Sequence, residues 1–192
     1  MDELVLPDGG VIRKLWMVET QKYLEHLLRL DSESRRSRFG GAIGEDLIRR
    51  YVETAMRPDT VIHGFLIDGT LRGVAELKPI EAAFPTEAEV AFSVERPWQS
   101  HGVGSALLER TLLTARNRGI TRIHMMCLAD NARMQQLARK YAAELSFDYG
   151  SIIGEVAAPQ ATPLSLFREL VVDGHGFAAA MLDVQARLLR PA

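Results

Sequence analysis

The stretch from Val90 to Gly119 constrains the fold more than any other part of this chain. Val90, Phe92 and Val94 alternate with Ala91, Ser93 and Glu95, which is the period of a strand. A short polar loop follows, Gln99-Ser100-His101-Gly102-Val103-Gly104. Beyond it, Gly104, Leu108, Leu112 and Ala115 fall on one face of a predicted helix. The pattern stops at Gly119, with Arg116 and Arg118 in the last turn, where cations complement the helix dipole. A strand that passes through a glycine loop into a helix predicts an anion site. The first helical N–H groups lack internal partners, the dipole favours negative charge, and Gly102 and Gly104 let a bulky group approach the backbone. The same elements also suit an ordinary strand–turn–helix connection, because a Gly-x-Gly pair alone is a weak signal.

Two common phosphate loops are excluded. A P-loop needs a Gly-Lys-Ser/Thr ending, which is absent, and a dinucleotide loop needs a third glycine where Leu107 stands. Composition narrows the class further. The 192 residues suffice for one domain with a sizeable core, and 47% hydrophobic with 25% charged residues is ordinary for a globular protein. A net charge of -2 argues against a general nucleic-acid binder. Cys127 is the sole cysteine, so no internal disulfide forms, and its neighbours Met125, Met126 and Leu128 make it a buried apolar residue rather than a nucleophile. No apolar run reaches the roughly 18 residues of a membrane span, and the acidic start MDELVLPDGG does not read as a signal peptide. The expected location is the cytoplasm. The histidines lack the spacing of a metal-binding helix, so no metal is expected.

Read in order, Val11–Leu15 is a strand, and Glu19–Leu30 and Glu45–Met56 are helices. Asp31-Ser32-Glu33-Ser34 has capping character, and the basic segment after it reads either as a solvated helix face or as a surface beside the substrate or cofactor. Val61–Asp68 and Leu71–Pro79 form a hairpin about Asp68-Gly69. Glu87–Val94 and Arg122–Leu128 are strands, Ala132–Leu145 is helical, and Phe147–Tyr149 and Ile152–Val156 form a closing pair around Gly150. Leu164–Val172 and Phe177–Leu189 are helical pieces interrupted by Gly174 and Gly176. This order predicts an α/β (α+β) domain over 1–156, with a mixed, mostly antiparallel twisted sheet and helices on both faces, plus a C-terminal helical extension over 157–192.

The spacing Gln99-x-x-Gly102-x-Gly104 resembles the acetyl-CoA loop of the GNAT acetyltransferase superfamily. Upstream, Ala88-Glu89-Val90-Ala91-Phe92-Ser93-Val94 resembles that superfamily's fourth strand; downstream, Asp130-Asn131-Ala132-Arg133-Met134 follows a strand as a similar asparagine does there. The segment Leu30–Phe39 is similar to one in bacterial GNAT domains of the protein-lysine acetyltransferase type, with Arg36 and Gly40 where aromatic residues are common. The resemblance implies a fourth and fifth strand that splay apart around acetyl-CoA. It implies cofactor contacts from Phe92, Ser93 and Val94, from Gln99, Ser100, His101, Gly102, Val103, Gly104 and Ser105, and from Asn131 toward the pantetheine arm. A backbone N–H near Phe92–Val94 would face the oxyanion. Asn131 also suits a helix cap, and His101 reads as a loop residue with at most an auxiliary charge role.

Acetyl transfer to an amine needs a base, a positioned thioester, oxyanion donors and an outlet for the thiolate. Strand alternation puts Glu87 and Glu89 on one face, roughly 7 Å apart. Glu89 matches the general base of several members of the superfamily, and it also reads as a solvent-facing carboxylate. The tyrosine that often protonates the thiolate is replaced by Ala138, with Tyr141 one turn later as the candidate acid, or water in its place. The implied activity is an acetyl-CoA-dependent N-acetyltransferase with direct attack by a primary amine, either a protein lysine or a small molecule. A non-catalytic acyl-CoA sensor is the alternative from another class. Dimerisation is common in the superfamily, and the C-terminal helices are the candidate surface for a homodimer.

Overall fold

The computed structural model describes residues 6–7, 9–81, 86–141, 144–148, 151–157 and 161–188, with 144–148 and 151–157 described by their backbone. The elements run β1 (Gly10–Lys14), α1 (Thr20–Arg29), α2 (Ser32–Phe39), α3 (Glu45–Ala55), β2 (Val61–Ile67), β3 (Thr70–Pro79), β4 (Glu87–Val94), α4 (Val103–Asn117), β5 (Arg122–Leu128), α5 (Ala132–Lys140), β6 (Glu144–Asp148), β7 (Ser151–Ala157) and α6 (Pro163–Leu188). The seven strands form one sheet in the order β1-β2-β3-β4-β5-β7-β6. The β2–β3 hairpin closes through Asp68 and Gly69, whose φ angles of 48° and 71° suit the primed turn that matches strand twist. Every neighbouring pair is antiparallel except β4 and β5, which a helical crossover makes parallel. This is the mixed sheet that the sequence pattern predicts.

The parallel pair positions the site. β4 and β5 stay in register only from Glu87–Arg122 to Glu89–His124. Beyond that, β4 runs on to Val94 along β3, and β5 runs on to Leu128 along β7. The two strands part where the glycine loop begins.

Each face of the sheet has its own packing. On one, Tyr23, Leu27, Ile48 and Val52 of α1 and α3 cover Ile62, Leu66 and Val74. On the other, Leu107, Leu108 and Ala115 of α4 and Ala138 of α5 cover Ala75, Leu77, Ala88 and Val90. The α4 face is rotated from the predicted one. Leu107, Thr111 and Thr114 are buried, whereas Leu112 is half-buried. Thr111 can turn inward because its hydroxyl donates to the Leu107 carbonyl at 2.8 Å.

Two further expectations are corrected. Helix α5 ends at Lys140, and the chain is a strand again from Glu144, so the helical reading to Leu145 ran too long. Tyr149 and Gly150 of the expected closing pair lie outside the described residues. Helix α6 is continuous through Gly174 and Gly176. Each glycine weakens a helix by about 1 kcal/mol, which tertiary contacts offset. Those contacts are largely polar, with Asp173 accepting from Arg110 at 2.6 Å and Glu169 from Thr114 at 2.7 Å and Asn117 at 2.6 Å, beside an edge-on Trp16–Phe177 pair and a buried Ala180. The apolar residues Leu164, Phe167 and Leu170 face outward.

Candidate active site

The gap between β4 and β5 opens into a groove of about 510 Å³, within the range of small-molecule sites. Its walls are Ser34, Ser37 and Arg38 of α2, Ala91–Val94 of β4, Met126 and Cys127 of β5, and Asn131, Leu137 and Lys140 at the start and along α5. The glycine loop and the first turn of α4 close one end through Gln99, Ser100, Gly102, Gly104 and Ser105.

The loop is built to present backbone. Ser100 and Gly102 both have left-handed φ angles, 62° and 79°, which turn the chain sharply into the helix. Val103 is buried and anchors the first turn against Phe65 and Ala75. A Cβ on Gly104 would meet only the Leu137 side chain at 3.7 Å, so internal crowding does not require glycine there. What the missing side chain provides is access from the groove to the α4 N-terminus, where N–H groups lack helical partners. Gln99 is not one of these donors. Its N–H bonds the Arg96 carbonyl at 3.2 Å, and its side chain ties the Val94 carbonyl, Ser34 and Arg133 together at 2.8, 3.0 and 2.9 Å.

The other expected residues divide. Phe92, Ser93, Val94, Ser100, Gly102, Gly104, Ser105 and Asn131 line the groove. Asn131 caps α5, its Oδ1 accepting from the Met134 N–H at 3.1 Å. His101 is exposed beside the groove, with Nδ1 at 2.6 Å from the Gln99 carbonyl. Glu89 is exposed and stands outside the groove wall, on the Ala91 and Ser93 side of β4. Tyr141 is not brought to the groove either: its hydroxyl donates to Glu109 at 2.8 Å and to the Ser105 carbonyl at 3.3 Å. Burial and the Glu109 bond push its phenol well above the usual range. Cys127 is buried, and burial raises its thiol, which leaves it poorly suited to be a nucleophile.

Residues 21–142, more than half of the chain, match the family model described as Acetyltransferase (GNAT) family. The chain belongs to the GNAT acetyltransferases. Acetyltransferase Pat of Mycolicibacterium smegmatis is 31% identical over 87 residues, covering 45% of this chain and 26% of that protein. The chain therefore matches about a quarter of that relative's length. The crystal structure of the GNAT domain of S. lividans PAT superposes with a TM-score of 0.67 at 25% identity, over 77% of this chain and 90% of that one. PaiA N-acetyltransferase from Thermoplasma acidophilum, solved in complex with coenzyme A, shares the fold with a TM-score of 0.59 at 20% identity, over 77% and 98% of the two chains.

Within this GNAT fold lies a polar layer that the sequence pattern did not reveal. Helix α1 buries Lys22 and His26 along with Tyr23 and Leu27. Tyr23, Tyr51 and Arg38 all donate to Glu76 of β3, the first at 2.7 Å and the last at 3.0 Å. Burial, offset in part by the Arg38 charge, leaves the Tyr51 phenol raised to about 12 and Tyr23 well above its ordinary value. Both therefore stay protonated donors. Arg38 also reaches the groove wall. Across the mouth, Arg36 of α2 bonds Asp130 after β5 at 2.7 Å. Among the described residues no cluster of histidine, cysteine or acidic side chains could hold a metal ion, and no helix is long and apolar enough to cross a membrane.

Proposed function

We propose that this chain moves an acetyl group from acetyl-CoA to a primary amine by direct attack. The observation that carries the reading is the uncrowded face of Gly104 at the α4 N-terminus, opening on a groove that continues between β4 and β5. The N–H groups of Val103, Gly104 and Ser105 would hold the pyrophosphate, with Arg133 and Lys140 of the groove wall adding positive charge. The pantetheine arm would lie along Val94, near Asn131, and the acyl carbonyl would meet a backbone N–H near Phe92–Val94. Glu89 would act as general base through water, since it stands outside the groove wall. The acceptor we favour is a protein lysine, because the segment similar to protein-lysine acetyltransferases forms α2, which lines the groove and would wall its acceptor side. The outward apolar residues of α6 supply the surface on which the expected homodimer would form.

Calorimetric titration with acetyl-CoA tests the site. Wild type should bind with a Kd of roughly micromolar order. Gly104→Trp should weaken binding at least about 100-fold, close to 3 kcal/mol, because the indole fills the approach to the helix N-terminus. A folded wild type that binds no acetyl-CoA would overturn the reading. Binding without thiol release, across a panel of amines, would favour the sensor.

A further inference from the structure

His26 of α1 is fully buried, and both ring nitrogens are engaged by the end of β4. Nε2 lies 2.9 Å from Ser93 Oγ, and Nδ1 lies 3.2 Å from Glu95 Oε1. Glu95 also accepts from Arg29 Nε and Arg72 Nη1, both at 2.9 Å. Burial pushes the Glu95 carboxyl up, but the hydrogen bonds from His26 and Arg72 and the Arg29 charge outweigh it, so Glu95 is ionised and can only accept. That fixes the hydrogens. His26 must donate from Nδ1, so Nε2 is left as an acceptor, and Ser93 must donate to it. The result is a hydroxyl, an imidazole and a carboxylate wired in series, and the residue that carries the hydroxyl lines the groove.

The position matters as much as the wiring. Under the proposed function the acyl carbonyl sits near Phe92–Val94, which is where Ser93 is. Glu89 is four residues back, roughly 13 Å along the strand. An ammonium acceptor loses two protons overall. The first can leave near the groove mouth, toward Glu89 and water. The second becomes acidic only as the C–N bond forms and the nitrogen takes on positive charge, and it must leave at the reacting centre. A weak base beside that centre is adequate for this step.

We propose that Ser93 and His26, held by Glu95, form a proton relay that removes this second proton. The inference rests on the amine-acetyltransferase reading above. As the C–N bond forms, the nitrogen's proton passes to Ser93 Oγ while the serine proton passes to His26 Nε2. The C–S bond breaks with its electron pair going to sulfur. The imidazolium then returns a proton through Ser93 to the thiolate or to water in the groove. Glu95 stabilises the transient imidazolium. Arg29 on α1 and Arg38 on α2 oppose it and return the ring to its neutral form, while Arg72 on β3 faces Glu95. Burial already holds His26 below the usual histidine range, so the base form is present at neutral pH.

The test is the kinetics of wild type, Ser93→Ala, Ser93→Thr and Glu89→Gln with an amine panel, read by thiol release. Ser93→Ala should lower kcat on the order of 100-fold, with KM for acetyl-CoA within about twofold, and Ser93→Thr should restore most of the loss. The wild-type solvent isotope effect should give a curved proton inventory, from two protons moving together. A linear inventory overturns the relay without depending on any variant. So does a folded Ser93→Ala enzyme within about twofold of wild type, or an acetyl group trapped on Ser93, which would make the serine a nucleophile. Absence of transfer by wild type itself overturns the amine-acetyltransferase reading and the relay together; a working wild type with an unaffected Ser93→Ala overturns the relay alone.

Discussion

Both faces of the sheet bury an apolar core, and they differ in the charge buried beside it. Toward α4, Val103, Leu107 and Leu108 meet Phe65, Ala75, Leu77 and Val90 in an apolar core. Toward α1 and α2, the same strands bury Glu76, Ser93 and Glu95 against Tyr23, His26 and Arg38. Beside its apolar core the α4 face buries polar groups too, among them His63 with Thr111 and Thr114, with His63 held neutral by burial. The α1–α2 face puts charge in a desolvated place and demands that each partner be present. That layer borders the groove through Arg38 and Ser93, so under the proposed function rigidity there is spent where reacting groups must be aligned.

The largest expected effect follows from this contrast. Glu76→Leu removes the acceptor of three donors and strands a buried Arg38 guanidinium, at a cost of about 3–5 kcal/mol in urea denaturation. Leu107→Ala, fully buried on the other face, should cost about 2–5 kcal/mol through lost transfer energy and a cavity. The two losses differ in reversibility. Adding Arg38→Met to Glu76→Leu should recover a large part, because an apolar pair replaces an uncompensated charge. Equal losses in the single and double variants would show that the polar layer is packed, not wired.

An intermediate effect compares two buried histidines, one on each face. His26 meets Ser93 and Glu95; His63 of β2 meets Thr111 at 3.2 Å and Thr114 at 3.3 Å under α4. Burial lowers both from the ordinary value of 6.5, His63 by more, since Arg110, Lys14 and Arg118 add to burial while Glu95 partly restores His26. The folded state therefore binds fewer protons than the unfolded one below pH 6.5. Stability should be flat above that pH and fall as pH drops from about 6.5 to 5, by up to about 1.4 kcal/mol per pH unit for each histidine. His26→Gln and His63→Gln should each remove about one proton from that slope. Only His26→Gln should also depress kcat. Burial raises Glu19 and Glu95, but bonds from Arg13 to the first and from His26 and Arg72 to the second outweigh it, so both are lowered and lose their contribution in a separate window below the carboxylate value of 4.5.

The strand–loop–helix unit from β4 to α4 was legible in sequence because its determinants are local, although the buried face of α4 was not. Alternation from Val90 to Val94, the loop glycines and the apolar repeat beyond them all lie within one stretch, and the Asp68-Gly69 turn announced its hairpin. The polar layer was not legible. His26 lies between Tyr23 and Leu27 in an apolar pattern, and its partners Ser93 and Glu95 are 67 and 69 residues away. Nothing local distinguishes a buried polar residue whose partner arrives by topology from a solvated one. Helix α6 misled for the same reason: its glycines are local helix breakers, while the bonds from Asp173 and Glu169 to α4 are distant. Asn131 lay between, since capping and ligand binding call for the same side chain.

The smallest effect concerns the exposed ion pair that joins α2 to the turn after β5. Arg36 and Asp130 are half or more exposed, so their bond should stabilise the fold by no more than about 1 kcal/mol, and Arg36→Ala should shift the urea midpoint only slightly. Its value is in what else moves. Arg36 sits on α2, proposed as the acceptor wall, and Asp130 precedes Asn131, proposed as a cofactor contact. A severalfold change in acceptor KM, with acetyl-CoA affinity intact, would assign the bridge to acceptor recognition. A loss of acetyl-CoA affinity at unchanged stability would instead move α2 to the cofactor half of the groove, and the protein-lysine reading would lose its structural support.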